Sequence, residues 1–198
     1  KIYPINILNW HEVVNDKILD KSFVVSYCPL CGTGIVFESS FNGEKLIFGV
    51  SGLLYQSDVL LYERNTATLW SQIMMKGISG KYSGEKLKTM TSRTINIYEY
   101  LDKNMDALVL SEETGFEKIR DYTQNPYGEY DTSEAIYFPV YSSDITYHTK
   151  TWTLLIKIKD KTLAKYFLDD FLKKINELTP NINYRKKNFF NYKKPLNP

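Results

Sequence analysis

Between two runs rich in β-branched and aromatic residues, GIVFESSF and EKLIFGV, the chain carries Asn42-Gly43. Both residues accept the positive φ that a two-residue hairpin turn demands, so this dipeptide predicts that the flanking runs fold back as paired strands. The same punctuation continues downstream. DVLLYER and TLWSQI read as short strands separated at Asn65-Thr66, and Gly77, Gly80 and Gly84 break up the stretch before LKTM, a further strand. A chain with 16 Tyr, 10 Phe and 3 Trp suits such a sheet better than a lean helical bundle.

The remaining segments predict helices near both ends and one in between. NWHEVVND has Asn9 as a cap and Glu12 at the third helical position, with Trp10, Val13 and Val14 as its buried face. FVVSYC follows as a buried strand. INIYEYLDKNMD places Ile97, Tyr98, Leu101 and Met105 on one side of a mid-chain helix, and ALVLS reads as a strand. NPYGEYD is turn chemistry, and TWTLLIKIKD is a strand. TLAKYFLDDFLKKINEL spaces Leu163, Phe167, Phe171, Ile175 and Leu178 as an amphipathic stripe that stops at Pro180. The expected class is α+β: a mainly antiparallel sheet with a short N-terminal helix, one mid-chain helix and a C-terminal amphipathic helix. The expected division is a core domain over 1–155 and a C-terminal helix and tail over 156–198, packed on the same domain.

The net charge of +2 conceals an asymmetry. From Lys157 onward there are 11 basic and 4 acidic residues, a net +7, which leaves about −5 on the rest. The last 16 residues, NYRKKNFFNYKKPLNP, hold five basic residues and no acidic one. No nucleic-acid motif accompanies that charge, so nucleic acid is not the expected partner. The tail offers itself to a membrane surface or to a protein partner, or stands as a solvated arm. No apolar run approaches the roughly 18 residues of a membrane span.

The two cysteines stand together as Cys28-Pro29-Leu30-Cys31, followed by Gly32. Three chemistries compete for the pair. A thiol–disulfide site needs a stabilised thiolate, usually at a helix N-terminus. Here GTGIVFESSF follows, which reads as a strand, and the βαβ context of a thioredoxin fold is missing. Cys-Pro-x-Cys-Gly also resembles the knuckle of zinc ribbons and rubredoxins, in which a turn aims both sulfurs at one metal. A closed zinc site wants four ligands, and two thiolates alone suit copper(I). His11 is the candidate third ligand: in the first turn of the N-terminal helix the dipole favours the neutral imidazole that binds metals. His148 is a weaker candidate. A nucleophilic Cys28 served by His11 as base is formally available, without a third orienting residue. As a staple the pair is poor, because its closed loop is very small.

Other motifs are absent: no P-loop, no G-x-G-x-x-G, and no G-x-S-x-G elbow around Ser51. HEVVN, beginning at His11, lacks the second histidine of a zincin. Met74-Met75 offers a thioether to copper or fills the core. Ser51, Tyr55, Asp58, Trp70, Ser71 and Gln72, gathered near glycine turns, are candidate pocket residues; the alternative is that they satisfy buried backbone at strand ends.

The succession YPINILNWHEVVND, VSYCPLCGTGIVF, FGVSGLLYQSDVLLYERNTATLWSQ, GEKLKTM, DALVLSEETGF and NPYGEYD is similar to a prokaryotic family catalogued as domain of unknown function 3179. The resemblance runs from Tyr3 to Trp152, and the tail, with AKYF and a Lys-rich segment, departs from it. The family has no assigned activity. Its members look exported or lipid-anchored, which implies an extracytoplasmic home. Its distinctive residues fall here on Trp10, His11, Glu12, Asn15 and Asp16, on Cys28, Cys31 and Gly32, and on Ser51, Gly52, Tyr55, Asp58, Trp70, Ser71 and Gln72. An oxidising compartment would favour a Cys28–Cys31 disulfide unless metal or reductant protects it. The reading is therefore a metal-binding module using Cys28, Cys31 and His11 for copper or zinc. Its alternatives are a thiol–disulfide oxidoreductase and a structural or surface-assembly protein with a non-catalytic disulfide.

Overall fold

A computed structural model describes residues 1–141, Lys150, 154–158 and 161–166 of the 198. The chain divides into two units, Lys1–Lys150 and Thr151–Pro198. The first holds nearly all described elements, and they are mostly strands, as the α+β expectation requires.

Helix α1, Ile5–His11, opens the chain. It lies one turn earlier than NWHEVVND suggests. Pro4 sits at the N-cap in extended conformation (φ −61°, ψ 133°), and Glu12 ends the helix in the left-handed region (φ 58°). The β-branched Val13 and Val14 then enter strand β1, Val13–Ile18, instead of continuing the helix. Strands β2, Lys21–Cys28, and β3, Thr33–Glu38, follow, and with β10, Thr89–Met90, they form an antiparallel sheet in the order β1-β2-β3-β10.

Asn42-Gly43 does turn a hairpin, with φ of 51° and 83°, but the paired strands β4, Ser40–Phe41, and β5, Glu44–Lys45, are only two residues each. A second antiparallel sheet runs in the order β6-β7-β8-β9: Phe48–Tyr55, Asp58–Glu63, Leu69–Ser71 and Lys76–Ser79. Residues from both sheets share one core, with Val24, Cys28 and Phe37 from the first and Phe48, Val59, Leu61 and Trp70 from the second. The opposite face of β2 packs Phe23 and Val25 against Leu8 of α1. β2 is thus covered on both sides, which is why FVVSYC lacks polar alternation.

Helix α2, Ile97–Leu101, is capped by Asn96, whose side chain accepts from the amides of Tyr98 and Glu99. It ends well short of Met105. ALVLS forms no strand; Val109 makes only an isolated parallel bridge with Ile2. Asn125 and Gly128 close NPYGEYD as a turn, with Asn125 Oδ1 accepting from the Tyr127 amide.

In the second unit, β11, Leu154–Ile158, and β12, Lys161–Tyr166, pair antiparallel. The expected C-terminal helix is therefore strand over its first residues, 162–166; the remainder of that helix and the basic tail lie outside the described residues. So does His148. No helix among the described residues is long and apolar enough to cross a membrane.

Candidate metal centre

The cysteine pair sits in the connection between β2 and β3. Cys28 is the last residue of β2 and pairs with Thr33, the first of β3, so Pro29, Leu30, Cys31 and Gly32 form the turn. Gly32 adopts φ 61° there, a conformation that costs an L side chain energy. With a strand starting directly after Gly32, no helix dipole acts on either sulfur. Both cysteines are free; Cys28 is buried and Cys31 reaches solvent.

Asp58 joins them from the second sheet. One ligand atom from each of Cys28, Cys31 and Asp58 lies within 4.8 Å of the other two. The block SGLLYQSD explains how Asp58 arrives there. Pairing of β6 with β7 is irregular between Val50 and Leu54, where Gly52 takes φ 74°. Ser51 Oγ donates to the Leu60 carbonyl at 2.5 Å and accepts from the Leu53 amide, holding that irregularity. Gln56 and Ser57 then make a two-residue turn with φ of 54° and 61°. Two non-glycine residues at positive φ are strained, and the strain is spent at the turn that delivers Asp58 and places the Ser57 carbonyl 3.8 Å from the Cys28 sulfur.

Asp58 is 2% exposed. Its Oδ2 accepts from Ser71 Oγ at 2.9 Å and from the Ile73 amide at 3.1 Å. Its Oδ1 has no hydrogen-bond partner, and neither has the Oγ of buried Ser57. Burial pushes the Asp58 carboxyl above its ordinary value, and the hydrogen bonds from Ile73 and Ser71 only partly oppose this. The thiols split. Cys28 is pushed up, first by its hydrogen bond to Cys31 and then by burial, while Cys31 is held below its usual value by that same bond. Cys31 is therefore the more readily ionised of the two thiols. Ionising all three groups in this interior requires a cation.

His11 does not stand in this group. It lies in the last turn of α1 rather than the first, and both ring nitrogens are engaged elsewhere. Nε2 is 2.6 Å from the Tyr122 hydroxyl and Nδ1 is 3.1 Å from Arg120 Nη1. Because guanidinium only donates, Nδ1 is the acceptor and Nε2 carries the proton. Burial, and then the Arg120 charge, hold His11 below its ordinary pKa. The imidazole is thus neutral as expected, but for a different reason than a helix N-terminus, and with no nitrogen left for a metal.

The six candidate pocket residues are likewise placed. Trp70 is core, edge-on to Phe48 and tilted against Tyr82. Ser71 braces Asp58, and Gln72 Nε2 ties the second sheet to the first through Ser26 Oγ and the Thr33 carbonyl. Ser51 holds β6, and Tyr55 is half-exposed at its end. A hollow of about 340 Å³ lies elsewhere, lined by Asp20, Lys21, Ser22, Glu38, Ser40 and Lys45 among others, and includes none of the six.

Sequence reasoning missed the polar contacts of the 111–130 segment. Arg120 Nη1 donates to the Trp10 carbonyl, the Trp10 indole donates to the Gln124 carbonyl, and the Tyr127 hydroxyl donates to Glu12 at 2.8 Å. Burial lifts the Glu12 carboxyl, against the pull of Tyr127 and Arg120. These pairs are more than 100 residues apart in the chain and leave no local pattern. Tyr127 is itself held above its ordinary pKa, by burial first and then by its bond to Glu12.

No curated protein and no solved structure matches the chain. A family profile described as protein of unknown function (DUF3179) matches residues 1–190, so the match extends through most of the tail that departs from the motif pattern. The chain belongs to the DUF3179 family.

Proposed function

We propose that this protein is an extracytoplasmic metal-binding module in which Cys28, Cys31 and Asp58 hold a transition-metal ion, copper or zinc. The observation that carries the reading is the meeting of two sulfurs and a carboxylate within 4.8 Å, with one carboxylate oxygen buried and unpartnered. A buried acceptor without a donor costs about 1–3 kcal/mol, and more when charged; a cation removes that cost and permits both thiols to ionise. His11 is outside the ligand set. Native mass spectrometry of the full chain, loaded with zinc or copper(I) under reducing conditions, tests this. One bound ion should persist in His11→Ala and vanish in Cys28→Ser and Cys31→Ser. Failure of the unaltered chain to retain either ion would overturn the reading.

A second reading, thiol–disulfide exchange with a disulfide-bearing protein, is favoured by the exposure and lowered pKa of Cys31. The Cys31 thiolate would attack the partner's disulfide. Cys28 would then displace the partner as a dithiol, leaving a Cys28–Cys31 disulfide. A Cys28→Ser variant should in that case accumulate a mixed disulfide through Cys31, and its absence would exclude the exchange.

A further inference from the structure

The identity and openness of this centre follow from its donors and their burial, given the metal-binding reading above. We infer that the ion is zinc(II), held among the described residues by Cys28, Cys31 and Asp58, with a fourth position that exchanges water for a neutral nitrogen donor of the imidazole type.

The donor set separates the ions. Copper(I) prefers sulfur and gains little from a carboxylate, whereas zinc accepts thiolate and carboxylate together. Charge points the same way. Two thiolates and one carboxylate carry −3, which zinc reduces to −1 and copper(I) only to −2. With Cys28 1% and Asp58 2% exposed, each residual charge is costly. Geometry is compatible: ligand atoms around tetrahedral zinc lie about 3.5 Å apart, so a set within 4.8 Å needs to contract by roughly 1 Å.

The fourth position follows by elimination among the described residues. The metal-ligating cluster contains three residues and no more, and His11 has both nitrogens committed. Three protein ligands leave zinc an open position, as in sites that bind a small ligand. Cys31 reaches solvent, so the centre is open on that side. An anion would return the centre to −2, so a neutral donor is selected.

Cobalt(II) loaded into the full chain reports coordination through its visible absorption. Imidazole should shift the cobalt bands saturably while azide leaves them unchanged. In competition with a chelator, Asp58→Asn should weaken zinc at least about tenfold and leave copper(I) affinity unaltered. A cooperative unfolding transition confirms that the variant is folded, and the imidazole titration needs no variant at all. Bands that ignore imidazole would mean a closed site, and bands that respond equally to azide would remove the charge selection; either overturns the inference. Retention of copper(I) but not zinc overturns it while leaving the metal-binding reading intact. Retention of no ion overturns both.

Discussion

Asn15 and Phe48 pair as if both were strand residues: Asn15 Nδ2 donates to the Phe48 carbonyl and Asn15 Oδ1 accepts from the Phe48 amide, each at 2.8 Å. A side chain of β1 thereby completes the hydrogen bonding at the start of β6 and joins the two sheets. Asn15→Ala should cost about 1–2 kcal/mol, since water can reach part of the vacated position beside exposed Asn15. Asn15→Asp should cost more, because its carboxylate faces the Phe48 carbonyl where a donor stood. Chemical denaturation of the three proteins tests the order.

Glu63 is fully buried yet satisfied. It accepts from the amides of Asn65 and Thr66 and from Thr66 Oγ1, with the Ile47 amide at 3.5 Å. Burial alone would raise its pKa; the bonds from Thr66, Asn65 and Ile47 outweigh it and lower the value below 4.5. A depressed folded-state pKa contributes stability that is complete above the unfolded-state value and lost as pH falls through the folded-state value. Glu63→Gln should therefore be less stable than the unaltered chain at pH 7, by about 1–3 kcal/mol. The gap should narrow below pH 4.5, as thermal melts across pH 3–7 would show.

Two glycines should respond differently to alanine. A Cβ at Gly77 would stand 2.2 Å from the Tyr82 carbonyl oxygen, whereas at Gly43 it would meet nothing within 4 Å. Gly77→Ala forces backbone apart and should cost about 3 kcal/mol or more. Gly43→Ala pays only for its φ of +83°, about 1–2 kcal/mol. Equal losses in denaturant midpoint would contradict the steric account.

His11 should be neutral at pH 7 with its proton on Nε2, because the Arg120 guanidinium occupies Nδ1. Protonation would set two cations face to face. Its folded-state pKa is lowered, so the unfolded chain takes the proton first, and stability should decline as pH falls below the ordinary histidine value of 6.5. Nitrogen-15 chemical shifts of the imidazole test the tautomer. Arg120→Gln should raise the His11 pKa and reduce that dependence.

The features that the sequence alone determined are those settled by neighbouring residues. Asn42-Gly43 turns because both residues accept positive φ. Pro29 and Gly32 shape the cysteine turn, and a β-branched run after Gly32 excludes a helix there. Even locally the signal can slip: Asn9 and Glu12 make a capping pattern, but Pro4 starts the helix earlier and Glu12 ends it. Only the tertiary structure decided which carboxylate meets the cysteines. Asp58 comes within reach of Cys28 because a bulge at Gly52 and a strained turn at Gln56-Ser57 orient β7 against a different sheet. His11, closer in sequence to the cysteines, is drawn instead to Tyr122 and Arg120. Spacing along a chain encodes backbone conformation over a few residues. Which side chains converge across two packed sheets depends on burial and register summed over the whole core.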